Sequence, residues 1–295
     1  MATILSKGNL FPPKVVDGMI NNVRGKSSLA KLCAQTPLDF NGQTEYVFTF
    51  DKEVDIVAEN GAKTVGGGTA TAVTVTPIKF EYSMRVSDEF MTGSEEYQLN
   101  IMKQFAEGFA KKLARGLDLA AFHGVNPRTA SASAVVGTNN FDSAVSTTVT
   151  YAAATADDNL NDAIAAITNN SRIVTGIAMS PTMGTDMSKI KANGVVQYPE
   201  FRFGQAPDNF ANMILDINET VSANSSDDRA IVGDFQNMFK WGYSKNIFFD
   251  VIEYGNPDND ATLGDLKGHN QVLLRSEAFI GWGILDAASF VRIEA

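Results

Sequence analysis

Apolar and polar positions alternate in two segments of the first third of the chain. The segment EYVFTF over residues 45–50 carries three aromatic side chains on one face. The segment IKFEYSMRV over 78–86 alternates five apolar with four polar side chains. Alternation with a period of two is typical of a strand with one face on the core, so both segments are predicted to be half-buried strands.

The stretch between these strands, AENGAKTVGGGTATAVTVT over 58–76, is rich in Gly, Thr and Ala and has no apolar face. Its Val and Thr residues favour an extended backbone, which predicts a long hairpin projecting from the body with its tip near residues 60–68. The VGGGT motif does not form a Walker phosphate loop, because it has no Lys and is followed by strand-forming residues rather than a helix.

The strongest helical pattern begins after Ser94, a favourable N-cap, and ends near His123, before Gly124. Two glycines on one face of this helix, Gly108 and Gly116, predict a close backbone neighbour. The apolar residues recur every four positions. They are Tyr97, Ile101, Phe105, Phe109, Leu113, Leu117 and Ala121.

The remaining segments predict an α+β fold. Residues 125–155 are small and polar, which indicates a long surface excursion with a small hairpin. The patterns that follow predict a helix in NLNDAIAAITNN, a buried strand in RIVTGIAMSP, and a helix opened by Pro181 and closed by Gly194. Six strand-like segments complete the chain. The first forty residues, which contain the Pro12–Pro13 pair, are predicted to form an arm lying on another surface.

The chain has 295 residues, 44% apolar residues and a formal net charge of −10. This charge argues against a surface that grips nucleic acid, because phosphate binding depends on Lys and Arg. The single cysteine, Cys33, lies in an apolar context and is predicted to be a core residue. The start lacks a signal-peptide profile and no apolar run is long enough for a membrane helix, so we expect a cytoplasmic protein without a membrane partner.

No constellation of catalytic residues stands out. The two histidines, His123 and His269, lie in unrelated contexts without an HExxH or GxSxG motif, so neither enzyme activity nor a cofactor or metal is predicted. The run NPDNDATLGD supplies Asp258, Asp260 and Asp265 but lacks the Gly and the closing Glu of an EF-hand loop. A solvated acidic turn is therefore favoured over a cation site.

The order of these elements, with the phrases NLFPPKVV, KFEYSMRVSDEFM, AIVGDF and LLRSEAFIGWGILDAASFVRIE, resembles the major capsid proteins of tailed bacteriophages with the HK97 fold. The resemblance covers essentially the whole chain. It implies an HK97-like fold with an N-terminal arm, an extended β-hairpin loop, a long spine helix in a peripheral domain and an α/β axial domain. The implied ranges are 1–40 for the arm, 41–80 for the extended loop, 81–156 for the peripheral domain, 157–270 for the axial domain and 271–295 for C-terminal strands returning to the peripheral domain.

The implied function is a structural subunit that assembles as pentamers and hexamers into an icosahedral head shell around double-stranded DNA. The resemblance implies location in the virion, assembly in the host cytoplasm, and a scaffold protein and portal as assembly partners. It allows a decoration protein on the surface, and DNA would be packaged without specific binding. Some members form Lys–Asn crosslinks between subunits; no motif assigns Lys52 or Lys63 to that role, and we predict non-covalent locking.

Contacts between subunits are predicted in the arm, in the hairpin and at three arginines. Two alternatives remain, an encapsulin-like compartment shell and a soluble hydrolase or binding domain with its site near 258–265. For Arg275, a salt bridge within the chain is as well supported as one between subunits. The residues predicted to contact other subunits are Phe11, Asn60, Lys63, Gly67, Val73, Val75, Arg85, Arg115 and Arg275.

Overall fold

A computed structural model describes residues 26–223, 227–244 and 247–295. The predictions for Phe11 and for the Pro12–Pro13 pair lie outside these residues. The described part of the predicted arm is partly core, because Leu29, Leu32 and Cys33 are buried. Burial raises the pKa of the Cys33 thiol to about 12, so the thiol is neutral and unreactive at neutral pH.

Helices and strands alternate along the described chain. The α-helices are α1 (Ser28–Leu32), α2 (Glu89–Thr92), α3 (Glu95–His123), α4 (Phe141–Ala144), α5 (Ala156–Thr168) and α6 (Pro181–Met187). The first strands are β1 (Gln43–Phe50), β2 (Gly68–Val75), β3 (Ile78–Ser87), β4 (Val125–Asn126), β5 (Ser131–Ala132), β6 (Thr148–Thr150), β7 (Gly176–Met179), β8 (Lys191–Ala192) and β9 (Val195–Val196). The later strands are β10 (Asn209–Phe210), β11 (Met213–Ile217), β12 (Asp228–Gly233), β13 (Phe239–Tyr243), β14 (Phe248–Ile252), β15 (Gln271–Ile284) and β16 (Phe290–Glu294).

Two large sheets organise the body. In the four-stranded sheet, β15 lies between β3 on one edge and both β13 and β14 on the other, and all of its pairings are antiparallel. The six-stranded sheet has the order β10–β11–β7–β12–β16–β6, with parallel pairing only at β11–β7 and at β16–β6. The chain therefore passes from one sheet to the other after β12 and returns after β15.

The six-stranded sheet is covered on both faces, as its strand sequences require. Ala178, Ile231 and Phe290 face the core that contains α3, whereas the adjacent Ile177 and Val232 face the core that contains α5 and α6. This alternation follows from the two-residue period of a strand. It explains why AIVGDF is apolar without an obvious polar face.

The long helix α3 agrees with its prediction at both ends. The Ser94 hydroxyl accepts a hydrogen bond from the backbone N–H of Tyr97, and Gly124 adopts a left-handed conformation with φ of 65° that closes the helix. At about 1.5 Å per residue, its 29 residues span about 43 Å. The apolar stripe is buried from Met102 onwards, whereas Tyr97 is 53% exposed.

The predicted backbone neighbour of the two glycines in α3 is wrong. A Cβ atom on Gly116 would meet the side chains of Pro127 and Phe80 at 3.4 and 3.6 Å, and a Cβ on Gly108 would meet nothing within 4 Å. The missing side chain of Gly116 therefore leaves room for side chains of neighbouring residues, not for another backbone. Gly108 lies at an open surface.

The helix predicted from Pro181 to Gly194 ends at Met187. After it, β8 and β9 pair as a small hairpin across Asn193 and Gly194, which have φ of 51° and 81°. An Asn-Gly pair favours the hairpin turn that requires positive φ at both residues. Gly194 thus closes a hairpin, not a helix.

The polar stretch over 125–155 forms the predicted small hairpin, β4–β5, but it also supplies a core residue. Phe141 is fully buried, and its ring lies 5.1–5.8 Å from four other phenylalanine rings. The short helix α4, capped by the side chain of Asn140, carries Phe141 into this cluster. The four surrounding residues are Phe122, Phe235, Phe239 and Phe290.

Candidate assembly interface

The β1–β2 hairpin projects apolar side chains into solvent. Its strands pair in register from Gln43 opposite Val75 to Phe50 opposite Gly68, and every residue of the connecting segment 51–67 is exposed. The prediction that the aromatic face of β1 is half-buried is wrong, because a two-stranded ribbon has no second layer to cover it. The most exposed large apolar residues of the hairpin are Tyr46 (64%), Phe48 (65%), Phe50 (78%), Val54 (93%), Ile56 (96%) and Val65 (84%).

Local hydrogen bonds hold the tip of the hairpin, which we define as residues 51–67. The Asp51 carboxylate accepts a 2.7 Å bond from the N–H of Gly67, and a Cβ atom on Gly67 would lie 2.7 Å from the same carboxylate. Asn60 adopts a φ of 67° beside a turn in which the N–H of Gly61 donates to the carbonyl of Ala58. The predicted contact residues Asn60 and Gly67 therefore shape the tip, and Lys63 is exposed on it.

The root of the hairpin is fixed to the four-stranded sheet. Val75 is fully buried, and a Cβ atom on Gly283 of β15 would lie 2.8 Å from its side chain. Val73 is half-buried at the same root, and Lys240 of β13 forms an ion pair with Glu45 of β1. Of the two valines predicted to contact another subunit, Val75 therefore contacts its own body.

Arg85 organises the segment 253–270, which connects β14 to β15. Its guanidinium binds both carboxylate oxygens of Asp258 at 2.6 and 2.8 Å and donates to Asn256, Gln271 and the carbonyl of Gly264. The hydrogen bonds from Arg85 lower the pKa of Asp258 to about 2. A guanidinium thus occupies the place for which the sequence allowed a metal cation.

The other two predicted arginines also have partners within the chain. Arg275 donates to the carbonyl of Pro257 at 2.9 Å and lies 3.7 Å from Glu81, so it braces the same segment as Arg85. Arg115 on α3 forms an ion pair with Glu219, and both side chains are substantially exposed. The eight predicted residues that the structure describes therefore do not form one site, and contacts of any of the nine with another subunit stay a prediction.

The sequence reading missed a buried carboxylate on α3. Asp118 is fully buried and accepts hydrogen bonds from the hydroxyls of Ser27 and Thr220 and from the backbone N–H groups of Ser28 and Leu29. Burial raises its pKa to about 6, although these four hydrogen bonds favour the charged form. The sequence signal that could have identified this carboxylate is its position in the helix, between Leu117 and the alanines that follow. Asp118 ties α1 to α3.

A second polar cluster joins the C-terminus of α3 to the six-stranded sheet. His123 contacts Asp142 at 2.9 Å and the carbonyl of Thr220 at 2.8 Å. Burial favours neutral His123, but the Asp142 contact raises its pKa overall. The potential metal-ligand atoms of His123, Asp142 and Asp228 lie close enough together to hold a metal ion. Arg292, however, binds Asp228 at 3.1 Å and supplies the cation there. The arrangement fits a structural joint better than a metal site.

In the part of the chain that the structure describes, no helix combines the length and the apolarity needed to cross a membrane.

Comparisons with known proteins agree with this architecture. The sequence model of the phage capsid family matches residues 7–295. A solved structure from Mycobacterium phage Ogopogo is 27% identical with a TM-score of 0.75, covering 91% of this chain and 92% of that one. A structure from Gordonia phage Cozz is 23% identical with a TM-score of 0.76, covering 91% and 86%. A search of curated proteins found no match.

A more distant neighbour, the capsid of an empty GTA particle, is 15% identical with a TM-score of 0.65 and covers 92% of this chain and 90% of that one. These likenesses confirm the HK97-like α+β fold predicted from the sequence. The family match spans nearly the whole described chain and the exposed hairpin. The chain belongs to the phage capsid family and is a structural subunit of a capsid shell.

Proposed function

We propose that the chain assembles as pentamers and hexamers into the icosahedral head shell of a tailed phage, around double-stranded DNA. The observation that carries this proposal is the hairpin, whose aromatic face and tip are exposed in the single chain. Apolar burial is favourable by about 25 cal/mol per Å², and large exposed apolar patches mark interaction sites. Neighbouring copies of the chain would cover these side chains.

The domain division that we propose follows the two sheets. The peripheral domain comprises α3 with the four-stranded sheet, and the axial domain comprises the six-stranded sheet with α5 and α6. Relative to the ranges expected from sequence, β13 and β14 move to the peripheral domain because they pair with β15. Likewise β6 and β16 move to the axial domain, because β16 pairs with both β12 and β6.

The other partners remain part of the proposal. A scaffold protein and a portal would act during assembly in the host cytoplasm, and a decoration protein would bind the outer surface. The net charge of −10 supports packaging of DNA without specific binding, since an acidic wall repels phosphates. We propose non-covalent locking of the subunits, in which neither Lys52 nor Lys63 forms a crosslink.

The test is light scattering coupled to size exclusion of the recombinant chain, with negative-stain electron microscopy of the eluted peak. Megadalton shells, tubes, or rings of five or six subunits are the expected result. A variant in which residues 53–65 are replaced by a short Gly-Ser linker keeps both strands and should remain folded without assembling. The proposal fails if the wild-type chain is a monomer with a protease-protected hairpin.

The contents of purified particles separate the remaining alternatives. Double-stranded DNA inside particles isolated from infected cells is expected for a phage head. A protein cargo without DNA would instead favour an encapsulin-like compartment, and a monomer that binds Ca²⁺ near residues 258–265 would favour a soluble domain. The ion pair between Arg85 and Asp258 argues against a soluble domain that binds Ca²⁺ at this segment.

A further inference from the structure

A buried polar joint connects the C-terminus of α3 to the six-stranded sheet. The name polar joint is used here for His123 of α3, Asp142 of α4, Asp228 of β12 and Arg292 of β16. The side chains of His123 and Asp228 are 2% and 0% exposed, so water does little to screen their charges. Buried charged groups are tolerated only when each has a partner of opposite charge or a matching hydrogen bond. The protons in the joint therefore decide how tightly α3 is held.

The position of His123 requires a protonated ring. Its Nε2 lies 2.8 Å from the backbone carbonyl of Thr220, and its Nδ1 lies 2.9 Å from the carboxylate of Asp142. A carbonyl only accepts, so Nε2 must donate, and a neutral ring would then turn the lone pair of Nδ1 towards the carboxylate. Both contacts are hydrogen bonds only when both nitrogens carry protons. Burial lowers the pKa of His123, but the hydrogen bond to Asp142 raises it overall above the ordinary value.

A second proton lies between two carboxyl groups. Asp142 and Asp228 hydrogen-bond to each other, which two carboxyl groups can do only if one of them is protonated. Burial raises the pKa of Asp228 to about 7, although Arg292 at 3.1 Å favours its ionised form. Burial also opposes ionisation of Asp142, but the hydrogen bond from His123 lowers the pKa of Asp142 overall. The shared proton therefore belongs mainly to Asp228.

The other charged groups on the sheet side do not replace these protons. Glu294 forms an ion pair with Arg292 and so brings a third carboxylate to the cluster. Arg229 donates at 3.4 Å to the backbone carbonyl of Asp228. Without the two protons, three carboxylates would share the guanidinium of Arg292, and two of them would face each other in a buried place.

On the helix side, one further carboxylate lies near the joint. Asp118 of α3 accepts a hydrogen bond from the hydroxyl of Thr220, whose carbonyl is bound by His123. Thr220 belongs to a short 3-10 helix, Glu219–Ser222, between β11 and β12. Burial raises the pKa of Asp118 to about 6, so this group is ionised at neutral pH. The remaining pair, Arg115 with Glu219, is substantially exposed.

We propose that the polar joint is a pH-dependent switch, which holds α3 against the six-stranded sheet while His123 and the Asp142–Asp228 pair each carry a proton and loosens when these protons leave. An opened joint would release the protons at ordinary values, about 4 for Asp and about 6.5 for His. The closed joint keeps them to higher pH, so its stability falls as the pH rises. For Asp228 the fall ends near pH 7, and for His123 it begins near about 6.5.

Amide hydrogen exchange of the full chain tests the switch. Each extra proton bound by the closed joint changes its opening constant about tenfold per pH unit. The protection of residues 120–124, 141–145 and 219–222, corrected for the intrinsic pH dependence of exchange, should therefore fall at least about tenfold between pH 6 and 8. Asp118 is largely ionised over this range and adds little. Residues 271–284 of β15 lie outside the joint and should show no such fall.

The change Asp142→Asn removes both requirements for a proton. Its amide can donate to Asp228, and it carries no charge that needs a cationic His123. The fall in protection between pH 6 and 8 should then shrink to less than about twofold. The matched control is Asp286→Asn, which breaks the ion pair of a half-buried Asp with Arg172. Burial opposes ionisation of Asp286, but its hydrogen bonds lower its pKa, so it does not titrate in this range and the control should keep the wild-type profile.

The protonation of His123 can be measured directly. Exchange of the imidazole C2 proton, followed by mass spectrometry, reports the titration of each histidine in its own peptide, and the chain has only two, His123 and His269. The midpoint for His123 should lie above the ordinary value of about 6.5. In the Asp142→Asn chain it should move down, because the carboxylate that favours the charged ring is gone. A contact that only fills space would leave the midpoint where it is.

The outcomes separate this switch from the shell function, because the joint lies within one subunit and can be measured whether or not the chain assembles. A fall in protection confined to the joint, together with a raised His123 midpoint, supports the switch. Protection that does not change between pH 6 and 8, an equal fall in β15, or an unchanged profile after Asp142→Asn overturns it. If the Asp142→Asn chain does not fold, the wild-type profile and the His123 midpoint still decide: a midpoint at or below the ordinary value overturns the switch.

Discussion

The segments 51–67 and 253–270 are of similar length, connect antiparallel strands and contain few regular elements. Every residue of 51–67 is exposed, and its hydrogen bonds lie within the hairpin itself. The segment 253–270 buries Leu266 completely and binds the guanidinium of Arg85 from β3, a strand of the same sheet. The second segment packs against its own chain, whereas the first leaves its apolar side chains exposed in the single chain.

Charge accounts for much of this difference. In the segment 253–270, Asp258 binds Arg85 of the same subunit, and Asp260 and Asp265 accept hydrogen bonds from backbone N–H groups of the segment itself. Among the described residues, no cation pairs with Glu53 or Glu59 of 51–67, and these two acids flank Val54 and Ile56, two of the most exposed apolar side chains that the structure describes. Exposure alone does not identify an interface; a contiguous patch of exposed apolar side chains is stronger evidence of one.

Displacing residues 36–38, which precede the hairpin and pack on β13, should have the largest effect on stability. The N–H of Thr36 donates to Trp241, and a Cβ atom on Gly242 would lie 1.6 Å from the carbonyl of Thr36. We expect Gly242→Ala to lower the free energy of unfolding by about 3 kcal/mol or more, because backbone cannot move aside cheaply. Urea titration followed by fluorescence measures this.

The matched control for that prediction is Gly268→Ala in the segment 253–270, where a Cβ atom would meet nothing within 4 Å. Its effect should stay within about 0.5 kcal/mol. Equal effects at Gly242 and Gly268 would show that residues 36–38 are not packed on β13.

Removing the guanidinium of Arg85 should make the segment 253–270 resemble the segment 51–67 in its amide hydrogen exchange. The change Arg85→Met keeps most of the aliphatic stem and deletes the charge, so Asp258, Asn256 and Gly264 lose their shared donor. Amide hydrogen exchange in 253–270 should then rise towards that of 51–67. Lys79→Met on the same strand removes an exposed ion pair and should change exchange little. Unchanged exchange after Arg85→Met would contradict the claim that Arg85 holds the segment 253–270 in place.

Lowering the pH should loosen the segment 253–270 reversibly, in the same way as the change Arg85→Met. Because the folded-state pKa of Asp258 is lowered to about 2, its contribution to stability is fully present above a pH of about 4 and is lost as the pH falls through about 2. Exchange in 253–270 should rise over that range. Asp258→Asn should show raised exchange already at neutral pH and no further step from this group. Identical pH profiles for both chains would refute the assignment.

The smallest effect on stability is expected at the hairpin tip. Ile56 is 96% exposed, so Ile56→Ser should change the free energy of unfolding by less than about 0.5 kcal/mol while it lowers the yield of particles. Ala58→Ser adds a hydroxyl to the same segment without removing a large apolar side chain. A loss of stability at Ile56, or full assembly, would mean that the tip is already buried or is not an interface.

Local signals predicted the parts of the fold that depend on neighbouring residues. Ser94 and Gly124 bound α3 because capping is decided within a few positions. The alternation over 78–86 predicted β3, and the apolar strands of the six-stranded sheet were all recognised. The Asn193–Gly194 turn was equally local, and it was overlooked because the helical pattern before it was extended too far.

The contacts that complete the candidate interface are not local. Arg85 and its acceptors in the segment 253–270 are separated by 171–179 positions, so no pattern within a short window pairs them. Phe141 lies in a polar stretch, and only the four rings around it make it a core residue. The groove between β3, α3 and the β4–β5 hairpin is lined by residues that only the tertiary fold brings together.

The attachment of the hairpin to β15 has a mechanical consequence. Val75 packs on Gly283, and two residues later the chain enters β3, which is paired with β15 over ten positions. A pull on the hairpin tip would therefore load this ladder along the strands. Its hydrogen bonds run perpendicular to that direction, so they would share the force together instead of opening one at a time. Tension on the hairpin would therefore be carried by the pairing of β3 with β15.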